Sequence, residues 1–120
     1  MIRFAPVYFT DDIPRTRAFL TALGFTDPEA EHRHGGWVEI PTHDALLCLH
    51  QGAGAVGTPA GLAQLSFESD EDPDLIAQRL VDAGFTDATV LDENYGRVVS
   101  VRNPDGQPML INVSDRTLYT

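Results

Sequence analysis

Apolar and polar positions along the chain switch between two periods. PVYFT (6–10) and AQLSF (63–67) alternate every second residue, as half-buried strands do. Each is followed by an Asp and an early proline, Asp12-Ile13-Pro14 and Asp72-Pro73. That pairing predicts a helix start, because the carboxylate caps the first turn and proline's missing N–H costs nothing there. The spacing then becomes helical, to about Leu23 and Ala83. Ile13, Thr16, Leu20 and Leu23 mark one apolar face; Leu75, Ile76, Leu80 and Ala83 mark the other. Gly24 and Gly84 stand where a C′ residue belongs, with Phe25 and Phe85 next in line to fold back onto the core. Shorter strands are predicted at WVEIP (37–41), ALLCLH (45–50), TVLD (89–92), RVVSVR (97–102) and PMLINV (108–113). The segment NPDGQ (103–107) reads as a hairpin turn.

These elements come in the same order twice. LTALGFTD (20–27) and LVDAGFTD (80–87) agree at Leu20/Leu80, Gly24/Gly84, Phe25/Phe85, Thr26/Thr86 and Asp27/Asp87, a constant shift of 60. Asp12/Asp72, Gly36/Gly96 and Val38/Val98 keep that shift. A period of half the chain predicts two copies of one supersecondary unit. The expected fold class is α+β: two tandem pseudo-symmetric βαβββ modules, about 4–50 and 62–113, in one domain spanning 1–120. QGAGAVGTPAG (51–61) is expected to be the flexible joint. Two such modules would form a curved, mixed, mainly antiparallel sheet around a cup lined by alternate strand residues, and the cup is the expected site.

Composition narrows the function. At 120 residues and 42% hydrophobic content the chain suits one globular domain with a core. Eight Lys+Arg against eighteen Asp+Glu give a net charge of −10, a field that repels phosphate backbones and anionic lipid. Nucleic-acid and membrane-surface roles are therefore not expected, and no apolar run approaches the roughly 18 residues of a membrane span. A single cysteine, Cys48, forbids an internal disulfide and fits a reducing cytosol. The opening MIRFAPVYFTDD lacks the long apolar stretch of a secretion signal, so a cytoplasmic protein is expected.

Several motifs have a plainer reading than their chemistry suggests. GAGAVG (52–57) matches G-x-G-x-x-G, but Pro59 and Gly61 interrupt the helix a dinucleotide would need, and the segment reads as linker. His32 and His34 sit in a polar stretch, and His43 in a turn. Cys48 and His50 share a strand face, too few ligands for a structural zinc. Arg97 and Arg102 are expected to pair with surface carboxylates. Trp37 and Tyr95, at strand entrances in the two copies, are candidates to stack on a planar ligand. Phe9 is expected to line the cup, Glu39 to supply its carboxylate, and Gln64, Ser66, Ser100 and Asn112 to supply neutral hydrogen bonds.

The opening PVYFTDD (6–12) with AFLTALGF (18–25), and YGRVVSVRNPDGQ (95–107) before the last strand, resemble the vicinal oxygen chelate superfamily over roughly residues 4–113. That superfamily includes glyoxalase I, extradiol dioxygenases, and the fosfomycin- and bleomycin-resistance proteins. Pro6, six residues before Asp12, is similar to the bleomycin-resistance subgroup. The likeness to that subgroup implies a homodimer with ligand crevices at the subunit interface.

The resemblance also implies where a metal would be held in catalytic relatives. The four positions fall at Ala5, near Leu62, at or near Cys48, and at Leu110, so three of the four are hydrocarbon. The expectation is therefore a cofactor-free, metal-free protein that buries a small aromatic or cationic molecule. Its ligand-binding set would be Phe9, Trp37, Glu39, Cys48, His50, Gln64, Ser66, Tyr95, Leu110 and Asn112, with no catalytic residue. The alternative is a metal-dependent lyase, isomerase or dioxygenase with a rearranged site using His32, His34, His50 or Glu39.

Overall fold

The computed structural model describes residues 1–23, 25–26, 36–42, 45–52 and 57–119. Two compact units account for them: Phe4–Leu65, and Ser66–Tyr119 together with Met1–Arg3. The architecture is α+β, with two helices and mixed sheets.

In the Phe4–Leu65 unit, β2 (Val7–Thr10) leads into α1 (Ile13–Ala22), then β3 (Trp37–Pro41), β4 (Leu46–Gln51) and the short β5 (Ala63–Gln64). The sheet order is β3-β4-β2-β5, with β2 parallel to β4 and the other pairings antiparallel. The expected cap is present: the Asp12 carboxylate accepts the Arg15 N–H at 3.0 Å, and Pro14 sits in the first turn. Ile13 and Leu20 pack on Val38, Ile40 and Leu49, with Tyr8, Phe25 and Leu47 at the margin. Thr16, the polar member of the helix face, meets Thr10 in a buried hydroxyl pair at 2.6 Å, so neither oxygen is stranded. Leu23, expected on that face, is 63% exposed, because the helix ends one residue earlier.

In the other unit, β1 (Ile2–Phe4), β6 (Ser66–Ser69), α2 (Pro73–Asp82), β7 (Thr89–Glu93), β8 (Gly96–Arg102) and β9 (Pro108–Ser114) precede a 3₁₀ turn at Arg116–Leu118. The sheet order is β1-β6-β9-β8-β7; β6 runs parallel to β9, while β7-β8 and β8-β9 are antiparallel. Asp72 caps α2 by accepting the Asp74 N–H at 2.9 Å. Gly84 takes φ 101°, the left-handed C′ conformation, and the Phe85 N–H bonds back to the Leu80 carbonyl at 2.9 Å. The Phe25 N–H makes the corresponding bond to Leu20 at 3.1 Å; Gly24 lies outside the described residues. The 103–107 turn closes as expected, with the Asn103 N–H bonded to the Gln107 carbonyl at 2.8 Å and Gly106 at φ 83°.

Three expectations change. The single strand read at 63–67 is two, broken at Leu65, which is 55% exposed: β5 joins one sheet and β6 the other. Residues 2–4, too short to show alternation, form the edge strand β1 beside β6. Leu75 is 63% exposed and Ala83 is also exposed; the buried stripe of α2 runs instead through Pro73, Ile76, Ala77 and Leu80. Gly61, the last residue of the expected joint, and Leu62 after it are tied to Phe9 by backbone bonds of 2.7 and 3.0 Å; 53–56 lie outside the described residues.

Two predictions follow from this packing. Ile76→Ala, at the centre of the α2 core, should cost about 2–5 kcal/mol in a denaturant titration, while Leu75→Ala should change stability by less than about 0.5 kcal/mol. Gly96 takes φ 140°, and a Cβ there would meet the Val113 carbonyl oxygen at 2.6 Å. Gly96→Ala should therefore lower stability by at least about 1–3 kcal/mol; an unchanged midpoint would contradict the close approach of β8 and β9.

Candidate functional site

Strand alternation gives the Phe4–Leu65 sheet two different faces. Tyr8, Val38, Ile40, Leu47 and Leu49 turn toward α1. The residues between them, Val7, Phe9, Trp37, Glu39, Leu46, Cys48 and His50, share the opposite face. Register then orders that face into rows. Phe9, His50 and Trp37 are cross-strand neighbours on β2, β4 and β3. The next row runs Gln64, Val7, Cys48, Glu39 across β5, β2, β4 and β3.

The first row is aromatic throughout. The Phe9 and His50 rings lie 5.3 Å apart at 49°, and the His50 and Trp37 rings 6.1 Å apart, edge to face at 85°. Phe9 and Trp37 are buried. His50 Nδ1 lies 2.8 Å from the Gln51 carbonyl, and a carbonyl only accepts, so Nδ1 carries a proton. The Trp37 Nε1–H donates to Glu39 Oε2 at 3.1 Å, holding the indole edge and the carboxylate together.

The second row mixes apolar and polar groups. The Cys48 thiol is buried, and it donates to the Leu46 carbonyl at 3.9 Å. Gln64 differs from its neighbours: its Nε2 is buried and has no hydrogen-bond partner among the described residues. A buried amide N–H2 without an acceptor is costly.

The remaining expected residues belong to the other unit. Ser66 and Leu110 are paired in register on β6 and β9, and Ser66 Oγ donates to the Leu110 carbonyl at 3.3 Å. The Asn112 Nδ2–H donates to Ser66 Oγ at 3.4 Å, so the serine oxygen both donates and accepts. Tyr95 lies in the turn between β7 and β8, half-buried, with its carbonyl accepting the Asp115 N–H at 2.9 Å. It is not a strand residue like Trp37. Arg97 pairs with Asp92 at 3.1 Å and Asp74 at 3.5 Å, as expected of it. Arg102 does not follow suit: its guanidinium donates to the Gly106 carbonyl at 2.9 Å.

The metal positions implied by the resemblance fail on chemistry. Ala5 is a buried methyl group, and Leu110 is hydrocarbon. Register also moves one position. Ala5 precedes by two the residue that pairs with Cys48, and Gln64 precedes by two the residue that pairs with Leu110. Gln64, rather than the 57%-exposed Leu62, therefore holds the matching position. An alanine, a cysteine, a glutamine and a leucine do not make a ligand set for a divalent ion. Among the described residues, no three His, Cys, Asp or Glu side chains are grouped to hold one; His32, His34 and His43 lie outside those residues. Reading from the sequence left out Val7 and Leu46, which alternation from Phe9 and Cys48 would have found.

No family model and no curated protein matches the chain. Among solved structures, it is similar to a glyoxalase/bleomycin resistance protein/dioxygenase superfamily member from Vibrio splendidus 12B01, at 20% identity and a TM-score of 0.58, over 92% of this chain and 97% of that one. It is also similar to a structure described as an NAD-dependent benzaldehyde dehydrogenase from Legionella pneumophila, at 16% identity and a TM-score of 0.61, over 90% and 96% of the two chains. At these identities the likeness is one of fold, and the fold is that of the glyoxalase/bleomycin resistance protein/dioxygenase superfamily member.

Proposed function

We propose that the protein binds a small aromatic or cationic molecule without a metal and without making or breaking a bond. The observation that carries this reading is the aromatic row Phe9–His50–Trp37 lying beside the Glu39 carboxylate and the unpartnered Gln64 amide. The rings offer flat apolar area, the carboxylate offers a counter-charge, and the amide offers a donor for a ligand carbonyl. A net charge of −10 steers cations toward the protein. The ligand would be a drug or metabolite held by sequestration, as the resemblance to bleomycin-resistance proteins implies. The same reading takes the two units as tandem copies of one module that together form a cup, in a cytoplasmic homodimer with the binding crevice at the subunit interface. The sequence period of 60 and the recurring Phe25–Leu20 and Phe85–Leu80 bonds support the repeat.

Trp37 is the chain's one tryptophan, so its emission reports directly on this face. A thermal-shift panel of aromatic and cationic natural products, run with and without divalent metals, should reveal a ligand that raises Tm and changes Trp37 emission regardless of metal. At a thousandfold excess over Kd the stabilisation is about 4 kcal/mol. A stoichiometric divalent ion in protein purified without chelator, or no shift across the panel, would overturn the reading. Gln64→Met should raise the stability of the ligand-free protein by about 1 kcal/mol, since it removes the stranded donor, and should weaken the ligand found by the panel.

A further inference from the structure

The Met1–Arg3 and Ser66–Tyr119 unit contains a cavity on the helix side of its sheet. Its volume is about 320 Å³. Phe67, Ile76, Leu80, Phe85, Met109 and Ile111 line it, and Arg79 and Arg102 are its two charged lining residues. Protein interiors are close-packed, and the void left by a large core truncation is only about 150 Å³. A hollow twice that size, walled by hydrocarbon, falls at the lower end of the ligand-pocket range of about 300–1,000 Å³.

The polar edge has a definite sign. Arg79 is already paired with Glu71 at 3.1 Å. The Arg102 guanidinium donates only to the Gly106 carbonyl and has no carboxylate partner among the described residues. The nearby Asp87 carboxylate is engaged by the Arg102 backbone N–H at 2.9 Å rather than by the guanidinium. In a chain with eighteen acidic and eight basic side chains, an arginine left without a carboxylate beside an apolar hollow is unusual. Beside it, the Asn103 side-chain oxygen accepts the Asp105 and Gln107 N–H groups, which leaves that amide's nitrogen as a further donor.

We propose that this cavity is a second binding site, for a medium-chain carboxylate. The alkyl chain would lie between α2 and the sheet, and the carboxylate would meet Arg102. Apolar burial supplies the affinity, and the charge-assisted hydrogen bond selects anion over cation. The selection runs against the protein's net charge, which makes it a sharp test. The site is independent of the aromatic face in the other unit.

The test is an amide chemical-shift titration of the intact protein with octanoate, 1-octanol and octylammonium, each below its aggregation threshold. Octanoate should shift the amides of Phe67, Leu80, Phe85 and Met109 and bind most tightly of the three. Arg102→Gln should weaken octanoate about tenfold and leave octanol unchanged, whereas Arg102→Lys, which keeps the charge, should retain most of the affinity. Absence of shifts at these residues, equal or tighter binding of octylammonium, or undiminished octanoate binding by Arg102→Gln would each overturn the proposal. The variant's own spectrum shows whether the fold, including the Gly106 contact, survives.

Discussion

One helix covers one face of a sheet, and among the described residues each unit has a single α-helix. That constraint governs the rest of the structure. The side chains of every strand divide by parity, half toward the helix and half away from it. Toward α1 the chain places Tyr8, Val38, Ile40, Leu47 and Leu49, which close a core of ordinary aliphatic composition. Away from it the same strands carry Phe9, Trp37, Glu39, Cys48 and His50, a composition that packing alone does not require.

The parity rule also explains which parts of the molecule were legible in the sequence. Both helix starts were, because capping is local: Asp12 and Asp72 act within three residues of themselves. The returns at Phe25 and Phe85 were legible for the same reason. The β1 strand was not, since three residues show no period and its partner is remote. AQLSF reads as one strand because alternation carries no sign of which sheet receives it; only the pairings of Gln64 with Val7 and of Ser66 with Leu110 separate the halves. On α2, Leu75 and Ile76 are adjacent apolar residues, and only tertiary packing chose Ile76.

For the site, alternation placed Phe9, Trp37, Glu39, Cys48 and His50 correctly on strands but did not say they share one sheet face in two rows. Register supplied that. Tyr95 resembled Trp37 through its neighbouring glycine, yet it falls in a turn, where parity has no meaning. The stranded Nε2 of Gln64 has no signature in sequence, since a glutamine's satisfaction depends on what lies across from it.

The outer strand of the second sheet, β1, lies more than sixty residues ahead of its partner β6. Arg3 is joined to Glu68 across 65 positions, and Met1 to Asp70 across 69, while Arg116 reaches the same Glu68 at 3.0 Å. A ribosome therefore releases this strand long before its partner exists, and during that interval its backbone must remain solvated. Edge closure there is a late, high-contact-order event, and it leaves β1 open to other encounters until β6 emerges.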